Sequence, residues 1–386
     1  MAGIKRVATI WAIKLAIAVM RGIYAMLKLA PTQNKVVFLS RQSDDTPLDF
    51  QLIIDQLRIG APQVKVKVIC RTLGHNWLSM AGYIPSVLAQ MRQLATSRVA
   101  VLDSYSIPVC VLRHKQTLTV IQLWHGLGAF KKFGYAALDA AEGNTGRAGL
   151  DPRTLAHLMH QHENYDFVIT SSRLGVDPYA QAFNIDASKV LVVSLPRADL
   201  LSDADAMAKT GEQIRAAYPQ LKGKVNIIFA PTYRRHGDID QQVDALANAV
   251  DYQRCNLIVR VHPLTKLAHH DHRLLGIEGF ATWQVLGVCD VLVTDYSAIA
   301  YEMYLLGKPV YFFQADEASY ETDRGFFTKP SEWPGPRFTN ATDLVRAIEA
   351  GQYDMSAIER FTDRQIEHRT GNAARLSAII AQHCNG

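Results

Sequence analysis

Cysteine is scarce in this 386-residue chain: the five present (Cys70, Cys110, Cys255, Cys289, Cys384) are far apart, odd in number and show no Cys-x-x-Cys spacing. That argues against a disulfide framework or a zinc cluster and predicts a reducing, cytoplasmic compartment. Acidic residues are missing from residues 1–43, which carry seven Lys or Arg. The rest of the chain holds 34 bases against 36 acids, so the formal charge of +5 belongs to one terminal segment. A nucleic-acid binder would spread its basic residues over a folded surface, and this distribution points instead to a membrane surface. There is no acidic cluster suited to Mg²⁺, so neither an obligatory metal nor a cofactor is expected. Internal repeats and low-complexity tracts are also lacking.

The N-terminus lacks an uninterrupted apolar run. Between Ile4 and Leu29 the charges Lys5, Arg6, Lys14, Arg21 and Lys28 leave no uncharged run longer than seven residues, against roughly 20 for a bilayer span. Lys14, Arg21 and Lys28 recur every seven residues, drift about 20° per step on a helix and form one basic stripe. Ile10, Trp11, Leu15, Met26 and Leu27 fill much of the remaining surface. Residues 1–30 are therefore expected to form an amphipathic helix lying on anionic lipid. Lys14 interrupts the apolar core that a signal peptide needs, and Pro31 ends the segment.

What is present beyond Pro31 is alternation. At this length two domains are the default, and short β-branched runs alternate with helical patterns. Residues 35–39, 64–69, 98–102, 118–123, 166–170 and 190–193 read as strands of a first domain (31–200). Residues 224–229, 257–261, 291–293 and 310–313 read as strands of a second (201–350), after a helical stretch around Asp203–Tyr218. The pattern is α/β, with doubly wound parallel sheets. A last helix, from about Ser356 to His383 within 351–386, is expected to pack back on the first domain.

In such sheets ligands bind beyond the carboxyl ends of the strands, and four junctions there carry chemistry. Val120–Leu123 leads to Trp124-His125-Gly126-Leu127-Gly128-Ala129-Phe130-Lys131; His125 is placed to take a proton from a hydroxyl, with Lys131 in reach of phosphate. Ile227–Phe229 ends in Thr232-Tyr233-Arg234-Arg235, where guanidiniums match phosphate oxygens. Leu257–Val261 delivers His262, held by Pro263. Asp290–Val293 runs into Thr294-Asp295-Tyr296-Ser297 and a helix expected to begin near Ser297, a place for phosphate or simply for a helix cap.

These junctions, in this order, resemble the CDP-glycerol glycerophosphotransferase family of teichoic acid and capsule polymer synthesis, whose members include ribitol-phosphate transferases. Pro196-Arg197-Ala198-Asp199 is similar to the family's Pro-Arg-(Asn)-Asp element. Asp323-Arg324-Gly325-Phe326 with Pro334-Gly335-Pro336 is similar to its late Arg-Gly and Pro-Gly-Pro pair. The resemblance implies a GT-B-like arrangement, two Rossmann-like domains facing a cleft, with a CDP-glycerol or CDP-ribitol donor and peripheral attachment at the cytoplasmic face of the membrane. It implies catalysis by His125 and His262, with Arg234, Thr294, Asp295, Tyr296 and Ser297 around the donor. Glu302 is expected to bind the cytidine ribose. After His125 the glycerol-type pattern His-Gly-Thr-Pro-x-Lys is replaced by the longer His-Gly-Leu-Gly-Ala-Phe-Lys, which looks more like the ribitol-phosphate transferases and leaves the polyol open.

The activity implied is transfer of glycerol phosphate or ribitol phosphate to a hydroxyl of a lipid-linked primer or growing polymer, with release of CMP. A GT-B glycosyltransferase using a nucleotide sugar and a non-catalytic, nucleotide-binding membrane scaffold are the rivals. Turnover of CDP-polyols against UDP-sugars separates them.

Overall fold

The computed structural model describes residues 2–73, 77–138, 150–232, 239–261, 265, 267–268, 271–314, 320 and 325–385. β1 (Lys35–Ser40), β2 (Lys65–Cys70), β3 (Val99–Leu102), β4 (Thr119–Gln122), β5 (Phe167–Thr170) and β6 (Val190–Val192) form one sheet, in the order β2-β1-β3-β4-β5-β6. β7 (Val225–Phe229), β8 (Cys255–Val259), β9 (Val291–Thr294), β10 (Val310–Phe313) and β11 (Arg337–Phe338) form the other, in the order β11-β10-β9-β7-β8. Every strand pair is parallel. The strands read from β-branched runs are all present, with ends shifted by two residues or fewer. β11, only two residues long, is too short to carry a period.

Burial explains the pattern. β1 and β3 are buried along their whole length, as strands covered on both faces must be, so they read as continuous apolar runs. β2 is an edge strand with Lys65 and Lys67 exposed, charges that discourage pairing with another chain.

In the first half the helices are α1 (Ala2–Leu27), α2 (Leu48–Gly60), α3 (Trp77–Thr96), α4 (Ile107–Val111), α5 (Pro152–Leu158) and α6 (Val176–Phe183). α7 (Arg197–Leu201) and α8 (Ala204–Ala217) cross to the second sheet, which carries α9 (Ile239–Ala249), α10 (Thr282–Val288), α11 (Ile299–Leu305) and α12 (Ala341–Glu349). The single last helix expected from the sequence is two, α13 (Met355–Gln365) and α14 (Asn372–Asn385), interrupted at Gly371 with φ +76. α13 sets Phe361 against Tyr301 and Tyr304 of α11. α14 lies on α2, its start fixed by Asp199, whose carboxylate accepts from Asn372 N and Ala373 N, both at 2.8 Å.

One apolar cluster runs through both sheets, from Phe38 and Phe50 by way of Phe130, Tyr301 and Trp333 to Leu292 and Phe312. At the chain's crossing between the sheets, Arg197 donates to Asp49 Oδ2 of α2 at 2.5 Å and to Glu302 Oε1 of α11 at 2.8 Å. Removing one partner from such a buried ion network costs about 3–5 kcal/mol.

The orientation of α1 refines one expectation. Ile17 and Tyr24 are buried in the core of the first sheet. Arg21 Nε donates to Val111 O and Lys28 Nζ to Arg113 O, both at 2.9 Å, while Tyr24 OH meets His114 Nδ1 at 2.9 Å. The carbonyls at the end of α4 have no partners within their own helix and attract cations. Arg21 and Lys28 of the basic stripe therefore grip protein rather than facing lipid, while Lys14 stays exposed beside Trp11. The opposite face exposes Val7, Trp11, Leu15, Val19 and Met26, and α3, which packs on α1, exposes Ile84 and Leu88. By length and composition alone, Lys5–Leu27 is also sufficient to cross a membrane.

Candidate active site

The first site element is built at the end of β4. Gln122 is fully buried; its carboxamide accepts from Trp124 N at 2.9 Å and donates to Ser104 O at 3.1 Å. Trp124 has φ +63, a left-handed conformation uncommon for a bulky residue. Its ring is held by stacking on Phe133 at 4.8 Å. Strain of this kind persists only where the surroundings over-determine it, and here it turns the chain so that His125 leans over the ends of β1 and β3.

His125 Nδ1 lies 3.1 Å from Asp103 O and 3.3 Å from Gln42 Nε2. A backbone carbonyl only accepts, so hydrogen-bond logic assigns the neutral ring as the Nδ1–H tautomer with its basic lone pair on Nε2. Beneath, the Asp103 carboxyl accepts from Ser40 Oγ at 2.6 Å and Ser104 Oγ at 2.8 Å, while burial pushes its pKa up.

The loop after His125 is pressed against the second sheet. A Cβ on Gly128 would lie 2.4 Å from the Tyr301 ring, so only glycine permits this approach. A Cβ on Gly126 would stand 3.7 Å from Ala298 Cβ, which puts His125 beside the Ser297–Ala298 junction. Farther on, Lys132 N donates to Gly325 O at 3.0 Å and Phe327 N to Phe130 O at 2.8 Å. Lys131 Nζ, carried on this pairing, donates to Thr232 Oγ1 at 3.2 Å.

Thr232 and Asp295 close the β7/β9 edge. Asp295 is fully buried, and its Oδ1 accepts from Thr232 N at 2.8 Å and Tyr296 N at 2.5 Å. Thr294 Oγ1 donates to Ala230 O at 2.7 Å, and the Tyr296 ring stacks on Tyr320 at 3.9 Å. Thr294, Asp295 and Tyr296 thus form the floor of the junction, while Ser297 is partly exposed at its rim. α11 starts at Ile299, two residues later than the sequence suggested, because Ser297 and Ala298 are taken up by the turn; Ser297 Oγ only weakly caps Ile299 N at 3.5 Å.

Both sheets reverse strand order at a central strand, between β1 and β3 in one and between β7 and β9 in the other. Such switch points are where open α/β sheets bind ligands. His125 covers one, and Lys131 reaches the other. Glu302 stands one turn into α11, 13% exposed and paired with Arg197, so its carboxylate is already engaged. His262 and Arg234 lie outside the described residues. Sequence reasoning passed over Asp103, Gln42 and Arg41, although Ser40-Arg41-Gln42 and Asp103-Ser104 have the same signature as the chosen junctions: polar residues directly after an apolar strand.

The model of the CDP-Glycerol:Poly(glycerophosphate) glycerophosphotransferase family matches residues 23–380. The chain belongs to that family. It is 29% identical over 364 residues to the teichoic acid ribitol-phosphate primase of Bacillus spizizenii, covering 91% of each chain. It is 24% identical over 287 residues to the teichoic acid glycerol-phosphate primase of Bacillus subtilis, covering 72% of each. The wall teichoic acid polymerase TagF has the same fold, with a TM-score of 0.73 at 18% identity over 100% of this chain and 98% of that one. The GT-B-like arrangement expected from the sequence is thus present. The family elements outside the four junctions hold the fold together. Arg197 and Asp199 tie helices to one another, Gly325 pairs with the Lys131 loop, and Pro334 O accepts from Tyr304 OH at 2.6 Å.

Proposed function

We propose that this chain transfers ribitol phosphate from CDP-ribitol to a hydroxyl of a teichoic-acid-type primer or polymer. The observation that carries the reading is the placement of His125 and Lys131 on one loop that spans two switch-point crevices. Ribitol is favoured over glycerol by the higher identity to the ribitol-phosphate primase and by the extra residue between His125 and Lys131. The acceptor hydroxyl attacks the β-phosphorus, the bridging P–O bond breaks and CMP departs with that oxygen. His125 Nε2 takes the hydroxyl proton. Lys131, with Arg234 and His262, stabilises the charge that grows on the leaving phosphate, and Ser297 donates a hydrogen bond to it; this is the main demand that phosphoryl transfer makes on a protein site.

The apolar face of α1, continued by Ile84 and Leu88, is the surface offered to the cytoplasmic leaflet, where a lipid-linked acceptor would be presented. A screen of CDP-ribitol, CDP-glycerol and UDP-sugars with phosphate-bearing acceptors, read as CMP or UDP release, tests the reading. CMP release that falls about 10²–10⁴-fold in His125→Ala with donor binding retained supports it. UDP release, or near-normal turnover in that variant, counts against it.

A further inference from the structure

Arg41 occupies the β1/β3 switch point of the first sheet. It is the residue after β1, and its main-chain N–H donates to Ser104 Oγ at 3.2 Å. Its Nη1 donates to Tyr105 O at 2.9 Å, and the guanidinium lies over the Tyr105 ring, 5.6 Å from its centroid. No carboxylate pairs with it among the described residues, and its Nε is buried with no hydrogen-bond partner there. The side chain as a whole is only partly buried, so a charge that no carboxylate balances stands open beside His125, which marks a place where an anionic group belongs.

Its neighbourhood says which group. Gln42, the next residue, touches His125. Two nearby carboxylates are occupied: Asp103 by Ser40 and Ser104, and Asp44 by Thr72 N at 2.7 Å and Thr72 Oγ1 at 3.0 Å. A guanidinium with one edge fixed by a carbonyl and no carboxylate to balance its charge suits a tetrahedral oxyanion better than a neutral hydroxyl. The other crevice, where Lys131 meets Thr232, lies across the cleft. We propose that Arg41 binds a phosphate of the acceptor, the phosphodiester adjoining the hydroxyl that His125 deprotonates. The enzyme then reads the acceptor by its charge as well as by its hydroxyl. The inference rests on the transferase reading and adds to it a subsite for a polyol phosphate.

Calorimetry on the full-length protein with glycerol 3-phosphate, ribitol 5-phosphate and CDP tests the subsite without turnover. Arg41→Gln is expected to weaken binding of both polyol phosphates by about tenfold or more and to leave CDP affinity within about twofold of wild type. Arg41→Lys, which keeps the charge but not the fork, should fall between. In kinetics, Arg41→Gln should raise KM for a phosphate-bearing acceptor and not for the donor, and the difference from wild type should vanish with an acceptor lacking phosphate.

Unchanged polyol-phosphate binding in Arg41→Gln, or a parallel loss of CDP affinity, overturns the subsite. So does a wild-type protein that binds neither polyol phosphate. Wild-type binding that depends on Arg41, in a protein that releases no CMP from any CDP-polyol, keeps the subsite and overturns the transferase reading. CMP release that is indifferent to Arg41 does the reverse. Thermal melts of both variants confirm that they are folded.

Discussion

Lys131 Nζ donates to Thr232 Oγ1 at 3.2 Å, joining a loop of the first sheet to the end of β7 in the second. The contact carries a positive charge to the edge where Asp295 holds Thr232 and Tyr296. Lys131→Met is expected to lower kcat/KM for the CDP donor by about 10–100-fold, and Thr232→Val by much less, because the cation rather than the hydroxyl meets the phosphate. Initial rates at varied donor concentration check this; equal losses in the two variants would assign the contact to loop packing alone.

Gly128 is a packing requirement with a functional readout. Gly128→Ala drives a methyl into the Tyr301 ring, an overpacking that costs about 1–3 kcal/mol, and it displaces the segment that carries both His125 and Lys131. A lowered melting temperature together with reduced turnover is expected. Gly128→Ala combined with Tyr301→Leu should recover part of both, since the smaller side chain opens the space.

His162 sets a pH dependence of stability. Burial holds its pKa down at about 3, against an ordinary value of 6.5, with Tyr165 OH and Gln161 Nε2 each 3.2 Å from its ring nitrogens. Between pH 6.5 and 3 the unfolded chain binds a proton that the folded chain does not, so stability falls as pH falls through that window. From pH 7 to 5.5 this contribution amounts to about 1 kcal/mol. Urea denaturation at both pH values should show a wild-type loss that His162→Gln lacks.

Much of the frame was legible because buried parallel strands write themselves as β-branched runs, and His125 was legible because it follows one directly. What places His125 was not. The left-handed Trp124 is encoded by the fit of its ring against Phe133, and the bond to Asp103 is made to a main-chain oxygen, which carries no side-chain signal. For α1 the seven-residue spacing identified a stripe correctly but could not say what it faces; that depends on the carbonyls of the distant 109–113 segment. The break before α14 follows from Gly371 and from the pull of Asp199 on Asn372, a contact 173 residues apart in sequence.

The docked α1 gives a membrane test that leaves the fold alone. Trp11→Ser, Leu15→Ser and Val19→Ser together remove exposed apolar surface without touching Ile17, Arg21, Tyr24 or Lys28. The triple variant is expected to lose sedimentation with anionic vesicles while keeping its melting temperature and its turnover of a water-soluble acceptor. Undiminished vesicle binding would move the membrane contact elsewhere on the protein.

Arg197 ties the two sides of the cleft together. Its carboxylate partners come one from each side, Asp49 on α2 and Glu302 on α11, and removing either costs about 3–5 kcal/mol. A substrate entering between the sheets therefore meets two walls already tied together at that corner. The loop that carries His125 and Lys131 is fastened to the same frame, with Gly128 against the Tyr301 ring and Phe130 stacked on Trp333 at 4.1 Å, so the distance between base and cation is set before the reacting phosphate arrives.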